Sequence, residues 1–329
     1  MVNKNTQEKN ITLKDIAKAL NLSVNAVSRA LRDADDISKE TKQKVQQMAQ
    51  DMGYVPNSVA IALKKGSSNR VGIIFNDFYN PYFPLVCNKM FDQLEKSGYE
   101  GAIDFCKSPM LGIEHVKNSN LSRCCAVTTF VEPTPETALF FKKRNIPLIL
   151  IGINPTSTNV DCVYTDDFLG GQLVGRHFIE GPRHKALYVS DSLSETSYRR
   201  FSGLSEAIRN NDLGKTLDLI PMGGEDSLIE NAYSKIKNEH IDFVFCHSDS
   251  LAISLMSYLG KKKYGEKITV VGFDNLHKYS PLNLKITSVD YDMAGIIEYT
   301  LKSIISKVNG QTPIHNRIKK VFPVTLSIK

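Results

Sequence analysis

The sequence has 329 residues, too many for one ordinary core, and predicts two or three domains. With 42% hydrophobic and 23% charged residues, the composition is that of a globular chain and excludes a disordered or fibrous one. The first ten residues are polar, and no later apolar run approaches the roughly 20 residues that span a bilayer. We therefore expect no secretory signal, no membrane partner and a cytoplasmic location.

The positive charge of the chain is concentrated at one end. The net charge is +6, of which residues 1–70 carry +5 and the remaining residues only +1. A short basic segment on a nearly neutral body is typical of a module that binds a polyanion, because neutralised phosphates supply most non-specific affinity for nucleic acid. A merely solvated basic surface is the alternative that charge alone leaves open.

The cysteines carry no visible chemistry. None forms a C-x-x-C pair and none has a nearby histidine at ligand spacing, which disfavours a zinc site or a redox motif. Most lie within apolar runs and are expected to be buried thiols. We expect no metal and no cofactor. The six cysteines are Cys87, Cys106, Cys124, Cys125, Cys162 and Cys246.

The first folded segment has the pattern of a helix-turn-helix. After Thr12, apolar residues recur at helical spacing, and after a break at Asn21 and Leu22 a second short helix begins with Ser23 as its N-cap. A third helix with an apolar side follows. The apolar stripes of the three helices are Leu13, Ile16, Ala17 and Leu20, then Val27, Ala30 and Leu31, then Val45, Met48 and Met52.

The outward face of the second helix is the candidate site for reading DNA. In helix-turn-helix proteins, the N-terminal residues of this helix touch base edges in the major groove. Asn25 can pair with adenine, Arg29 can offer its fork to guanine or to a phosphate, and Val24 can touch a thymine methyl. Ser28 is better placed for a phosphate. An exposed polar face of a helical bundle is the alternative.

The motifs of residues 12–66 are shared with a known family. They comprise D-I-A in the first helix, S-x-x-x-V-S-R-A-L in the second, S-x-x-T in the third and G-Y-x-P-N-x-x-A-x-x-L after it. In order and spacing this stretch resembles the N-terminal DNA-binding domain of the LacI/GalR family of bacterial transcription regulators. The resemblance implies an all-α helix-turn-helix headpiece followed by a hinge helix.

The hinge helix is implied over residues 57–64, which are too few for a stable isolated helix. In the family it folds when two subunits meet on DNA, and the leucine that matches Leu63 enters the minor groove as an apolar wedge. The resemblance makes Asn57, Ala60 and Lys64 further DNA-binding candidates. A plain linker is the alternative, since Lys64 begins a polar, glycine-containing run.

From residue 71 onward, short apolar runs alternate with helical patterns. Such alternation predicts parallel sheets with helices on both faces, and two Rossmann-like units fit the length. Ligands of these sheets bind beyond the carboxyl ends of the strands, where polar residues follow several of the runs. The predicted strands are residues 71–75, 99–105, 125–130, 147–153, 186–190, 242–246 and 269–273.

This body also resembles the family, as an α/β effector domain of the periplasmic-binding-protein type I class. The matching stretches are VGIIFNDFYNPYF, TDDFLGG, RFSGL, HSDSLA and VVGFDN. Carried over by position, the resemblance places Arg200 in the effector cleft to clamp hydroxyls or a carboxylate, and Asp274 to accept from the ligand. It also places there Asn76, Tyr82, Phe83 and Ser248.

The chain differs from the family at positions that determine which ligand is bound. A lactose-type aspartate is replaced by Gly152 with Asn154 as a possible substitute, and a common glutamine is replaced by Val289. We expect a sugar or a sugar phosphate. A purine-like corepressor stays open because Tyr82 and Phe83 offer flat faces for stacking.

These observations define three segments and one function. Residues 1–56 are the expected DNA-binding domain, residues 57–69 the hinge helix and linker, and residues 70–329 the effector-binding and dimerisation domain, with three crossings between its subdomains. The last helix should join the first subdomain and the final run VFPVTLSI a strand of the second.

We expect a homodimeric regulator, most often a repressor, that binds a pseudo-palindromic operator in double-stranded DNA. Two other functional classes are alternatives. An enzyme is disfavoured because G-x-S-x-G, P-loop and H-E-x-x-H motifs are missing from the sequence. A sugar-binding receptor of a transport system would suit the body alone, but not the basic N-terminal segment.

Overall fold

A computed structural model describes residues 11–55, 68–155, 158–191, 194–210, 214–220, 225–264, 268–279 and 286–329. The chain divides into two compact units between Ser68 and Asn69. Within the described ranges, no helix is both long and apolar enough to cross a membrane. The implied hinge residues Asn57, Ala60, Leu63 and Lys64 lie outside the described residues.

The N-terminal unit contains three helices, α1 (Leu13–Leu20), α2 (Val24–Ala30) and α3 (Lys39–Asp51). Each begins at a hydroxyl residue that suits an N-cap: Thr12 forms a capping box with Asp15, Ser23 Oγ accepts from the Ala26 N–H at 3.0 Å, and Ser38 Oγ accepts from the Thr41 N–H. Asn21 ends α1 in the left-handed conformation, with φ of 52°.

A small core holds these three helices together. Ile16, Val27 and Val45 are fully buried, one from each helix. Leu13, Leu20, Leu31, Met48 and Met52 pack against this core while partly exposed. The helix-turn-helix predicted from the apolar stripes is therefore present, although Ala49 replaces Met48 as a fully inward residue of α3.

The body begins with the elements of a first parallel sheet. In chain order they are β1 (Arg70–Phe75), α4 (Tyr82–Lys96), β2 (Glu100–Phe105), α5 (Ile113–Asn118), β3 (Ala126–Thr129), α6 (Pro135–Lys143), β4 (Leu148–Ile151) and β5 (Asp161–Thr165). Alternate residues of β1 enter cores on opposite faces, Ile73 toward one and Ile74 toward the other, because successive strand side chains point apart.

A second sheet is built in the same way. Its elements are α7 (Asp167–Glu180), β6 (Lys185–Val189), α8 (Glu195–Arg209), β7 (Thr216–Ile220), α9 (Glu225–Glu239), β8 (Phe243–Cys246), α10 (Asp249–Lys261), β9 (Thr269–Phe273) and β10 (Thr287–Tyr291). The chain ends with α11 (Met293–Val308), β11 (Lys319–Phe322) and β12 (Val324–Ser327).

The strand order shows how the chain connects the two sheets. The first sheet is β11-β5-β4-β3-β1-β2, and its paired strands are all parallel. The second is β12-β10-β9-β8-β6-β7, in which only β12 is antiparallel to its neighbour. The chain thus leaves the first sheet after β5, returns to it with β11 and leaves it again with β12. The fold is the expected headpiece followed by an α/β body of two parallel-sheet lobes.

The final apolar run corrects one expectation. VFPVTLSI does not form one strand of the second lobe: Val321 and Phe322 belong to β11 in the first sheet, and Val324 begins β12 in the second. Pro323 separates them, since proline cannot donate a ladder hydrogen bond. The strands β5, β7 and β10 were not predicted, because acidic and hydroxyl residues interrupt their apolar pattern.

The cysteines are mostly internal. Five of the six are buried and Cys125 is partly exposed. Burial raises the pKa of the Cys87, Cys124 and Cys125 thiols to about 11. These thiols are protonated near neutral pH, as structural cysteines are.

Candidate functional sites

The exposed face of α2 is built by its cap and its core contacts. Ser23 starts the helix, so Val24 and Asn25 stand in its first turn, while Val27 and Ala30 are buried on the opposite side. Val24 is 39% exposed although it is apolar. An apolar side chain in the first turn of an exposed helix face is what contact with a thymine methyl requires.

Arg29 stands one turn further along α2 and already has a partner. Its guanidinium pairs with Asp36, and both side chains are about half-exposed. Ser28 lies beside it, and its backbone carbonyl accepts a hydrogen bond from Arg32 Nε at 3.0 Å. Exposed ion pairs of this kind are worth little, so a base or a phosphate can displace Asp36 at low cost.

A cavity of about 1270 Å³ lies in the body, lined by residues of both lobes. Its lining follows the carboxyl ends of the strands, as expected for parallel sheets. All six cleft residues expected from the sequence line this cavity: Asn76, Tyr82, Phe83, Arg200, Ser248 and Asp274. Gly152 also lines it, whereas Asn154 and Val289 are not among its lining residues.

Aromatic rings form the first-lobe wall of the cavity. Phe83 stacks on Phe75 with ring centroids 5.4 Å apart and meets Phe130 edge-on. Phe78 contacts Phe105 at 4.4 Å and is 54% exposed, and the neighbouring Tyr79 is 93% exposed. The extra rings Phe78, Phe105 and Phe130 were not among the residues expected from the sequence, although Phe105 and Phe130 stand where predicted strands end.

Arg200 is held more tightly than a ligand clamp alone would require. Its Nε donates to Asp167 Oδ1 at 2.8 Å, its Nη1 donates to the His247 carbonyl, and its guanidinium lies 3.5 Å from the ring centroid of Phe273. Burial opposes the charge, but Asp167 and Asp274 outweigh it and raise the Arg200 pKa above its ordinary value. Sequence reasoning missed Asp167, which follows a strand that was not predicted.

Helices α7 and α8 fix this ion pair by an unusually close crossing. A Cβ on Gly171 would lie 2.1 Å from the Arg200 carbonyl oxygen, and one on Gly203 would lie 2.0 Å from the Phe168 carbonyl oxygen. Only glycine allows the two backbones to approach so closely. The crossing brings the first turn of α7, with Asp167, beside the first turns of α8, with Arg200.

Asp274 lines the cavity from a turn with strained backbone. Its φ is 104°, it is 8% exposed, and the Tyr291 hydroxyl donates to its Oδ1 at 3.1 Å. Burial raises its pKa to about 7, against the pull of Arg200. Asp274 is therefore partly protonated near neutral pH.

A buried carboxylate supports that turn from behind. Asp249 is fully buried; its Oδ1 accepts from the Ser288 hydroxyl at 2.6 Å and its Oδ2 from the Leu276 N–H at 2.7 Å. Asn275 is fully buried and does not line the cavity. The N-cap of α10 is Ser248, whose Oγ accepts from the Leu251 N–H at 3.3 Å.

Comparisons with known proteins agree with both parts of the chain. Residues 12–57 match the family described as "Bacterial regulatory proteins, lacI family". The HTH-type transcriptional repressor PurR of Histophilus somni (strain 2336) is 23% identical over 330 residues, which cover 95% of this chain and 96% of that protein.

Several solved structures of other proteins have the same fold as this chain. The lac repressor dimer bound to operator and the anti-inducer ONPF has a TM-score of 0.78 at 19% identity, covering 98% of each chain. A LacI family transcriptional regulator from Enterococcus faecium with bound ribose has a TM-score of 0.66 at 20% identity, covering 78% of this chain and 96% of that one. At these identities the structural likeness establishes the fold alone.

Proposed function

Because the chain is a LacI/GalR family regulator, we propose that it is a sequence-specific DNA-binding transcriptional repressor whose operator affinity is controlled by a small carbohydrate in the cleft. The observation that carries the proposal is that one chain has both a capped helix with an exposed reading face and a large cavity between two lobes. Operator DNA is in the cytoplasm, so the protein acts there.

The proposed DNA contacts follow from the face of α2. Val24, Asn25 and Arg29 meet base edges, and Ser28 meets a phosphate. One such helix reads only a few base pairs, so a homodimer on a pseudo-palindromic operator supplies the rest. The implied hinge residues, among them Leu63, would add minor-groove contacts between the half-sites.

Effector control is proposed to work through lobe closure. The first lobe contributes Asn76, Tyr82 and Phe83 to the cavity wall. The second lobe contributes Arg200, Ser248 and Asp274. A ligand that contacts both walls binds the closed arrangement better than the open one and shifts the population toward it. Closure in both subunits of a dimer would change the spacing of the two headpieces and thus operator affinity.

A purine-like corepressor is the second candidate. It is supported by the PurR relatives and by the flat ring faces of Tyr82 and Phe83 at the cavity. With such a ligand, binding would strengthen repression rather than relieve it. Titration of nucleobases and sugars against the full chain, read as a shift in melting temperature, separates the two candidates.

The DNA-binding proposal is tested by selection of sites from a random duplex pool by the full chain. We expect one enriched sequence with two inverted half-sites. The proposal would be contradicted if the recovered duplexes contained no enriched sequence at a salt concentration where non-specific binding is weak.

A further inference from the structure

His247 lines the cavity but was not among the six residues expected there. It follows β8 and precedes Ser248, the N-cap of α10. Its backbone is fixed on both sides, because its N–H donates to the Val189 carbonyl at 2.8 Å and its carbonyl accepts from Arg200 Nη1. The side chain therefore extends from a rigid part of the second lobe and forms part of the cavity wall.

The imidazole of His247 has hydrogen-bonding capacity that the protein itself does not use. Its Nδ1 is buried and has no hydrogen-bond partner among the residues that the structure describes. Most buried polar atoms in proteins are hydrogen-bonded, and an atom left without a partner destabilises the fold. An unpartnered ring nitrogen on a residue that lines a ligand cavity indicates that the ligand supplies the partner.

The other second-lobe residues expected at the cleft already have partners within the protein. The Arg200 guanidinium is bonded to Asp167, and the Ser248 hydroxyl oxygen accepts from the first turn of its own helix. The Asp274 carboxyl group accepts from the Tyr291 hydroxyl. A ligand must share these groups with the protein, whereas it can pair with the imidazole without breaking a hydrogen bond of the described chain.

The ring is uncharged near neutral pH. Burial and the nearby Arg200 guanidinium hold the pKa of His247 well below its ordinary value. A neutral imidazole has one N–H donor and one acceptor nitrogen, and a hydroxyl suits either nitrogen because it both donates and accepts. The ring can turn about its Cβ–Cγ bond, whose torsional profile is broad, and so bring Nδ1 to the cavity side.

We propose that His247 binds the ligand from the second lobe, through a hydrogen bond between its imidazole and a hydroxyl group of the ligand. The proposal rests on the proposed function, because it concerns the ligand of the same cavity. The hydrogen bond gives the second lobe a contact that forms only when the ligand is present. Such a contact favours the ligand-bound arrangement and contributes to the population shift that effector control requires.

The first test is a variant that keeps an aromatic ring but not its nitrogens. His247→Phe and the control His315→Phe, whose histidine is exposed and outside the cavity lining, are titrated calorimetrically as full chains with D-ribose and D-glucose. For each sugar that binds the wild type, His247→Phe should bind about 5- to 100-fold more weakly, because a sugar hydroxyl loses its partner in a buried site. The control variant should bind as the wild type does.

Deoxy sugars separate a hydrogen bond from a change in the shape of the cavity. The analogues are 2-, 3- and 5-deoxyribose and 2-, 3-, 4- and 6-deoxyglucose. One analogue of the bound sugar should bind the wild type more weakly than the parent sugar does, yet bind His247→Phe as the parent does. If every analogue loses the same affinity in both proteins, no hydroxyl is coupled to His247, and the inference is overturned.

A second variant restores the hydrogen bond without the ring. His247→Asn keeps an uncharged group that donates and accepts, so it should bind the sugar within about threefold of the wild type. The inference would be overturned, with the proposed function intact, if His247→Phe bound as tightly as the wild type or if His247→Asn bound no better than His247→Phe. If no sugar binds the wild type, control by a carbohydrate fails, and the inference fails with it.

Discussion

At the scale of single residues, the structure separates side chains that can meet a ligand from those that hold the site together. Arg200 was expected to clamp a ligand, yet its guanidinium is bonded to Asp167 and the His247 carbonyl. Removing it would leave a buried carboxylate unpaired, which costs about 3–5 kcal/mol of stability. An Arg200→Ala variant therefore confounds folding with ligand binding, and Asn76, which is exposed at the cavity, is the better probe.

Arg29 provides a test of the recognition face with its own matched control. Arg29→Ala should weaken operator binding by about 1–3 kcal/mol, the usual value of a good base contact. Asp36→Ala removes the partner of Arg29 in the free protein and should leave operator affinity unchanged or slightly higher. Fluorescence anisotropy with the selected operator measures both. Equal affinities for wild type and Arg29→Ala would refute this role.

Asp274 gives a pH test. Its folded pKa of about 7 is above its ordinary value of 3.8 because of burial. Such a carboxyl stabilises the fold below its unfolded pKa, and that contribution is lost as the pH rises through 7. Asp274→Asn keeps an oxygen for the Tyr291 hydroxyl and cannot ionise.

The melting temperature of the Asp274→Asn variant should therefore be higher than that of the wild type at pH 8 but not at pH 4. Thermal unfolding at both pH values measures the difference. An identical difference at the two pH values would show that Asp274 does not titrate in this range.

At the scale of elements, the sequence predicted the helices and strands that are determined by hydrophobic periodicity and by helix caps. The three headpiece helices, seven strands of the body and the two-lobe architecture were predictable, because apolar runs and hydroxyl caps act locally. Strand β5 was not predictable, because acidic and hydroxyl residues interrupt its apolar pattern. The side-chain contact of Asp167 with Arg200 was not predictable either, because it depends on which helices cross closely. That crossing depends on tertiary packing around Gly171 and Gly203, which a motif alone does not reveal.

The helix crossing is tested by two glycine substitutions that differ only in their surroundings. Gly203→Ala places a Cβ 2.0 Å from a backbone oxygen of α7, so the helices must separate, and we expect a loss of at least about 1–3 kcal/mol. Gly260→Ala in α10 meets no atom within 4 Å and should stabilise the fold by about 0.5–1 kcal/mol. Denaturant unfolding measures both. A Gly203→Ala variant as stable as Gly260→Ala would contradict the close crossing.

At the scale of the whole molecule, we assign reading of DNA and sensing of a ligand to two separate units of one chain. The headpiece has its own core, and the cavity lies wholly within the body. Signalling between the two units requires that the ligand bind two conformations of the body with different affinities. A ligand with equal affinity for both conformations would not change their populations. The family resemblance placed six residues at the cleft, and all six line the cavity, but it gave neither the other lining residues nor the direction of control.

The most direct measurement is the operator affinity of the full chain with and without a cleft ligand, for wild type and for Asn76→Ala. We predict that the ligand changes the operator Kd of the wild type by about 5–150-fold, the usual range of allosteric coupling. Asn76→Ala should bind operator as wild type does without ligand and respond less to it. A ligand that binds the cleft and leaves operator Kd unchanged would contradict the account.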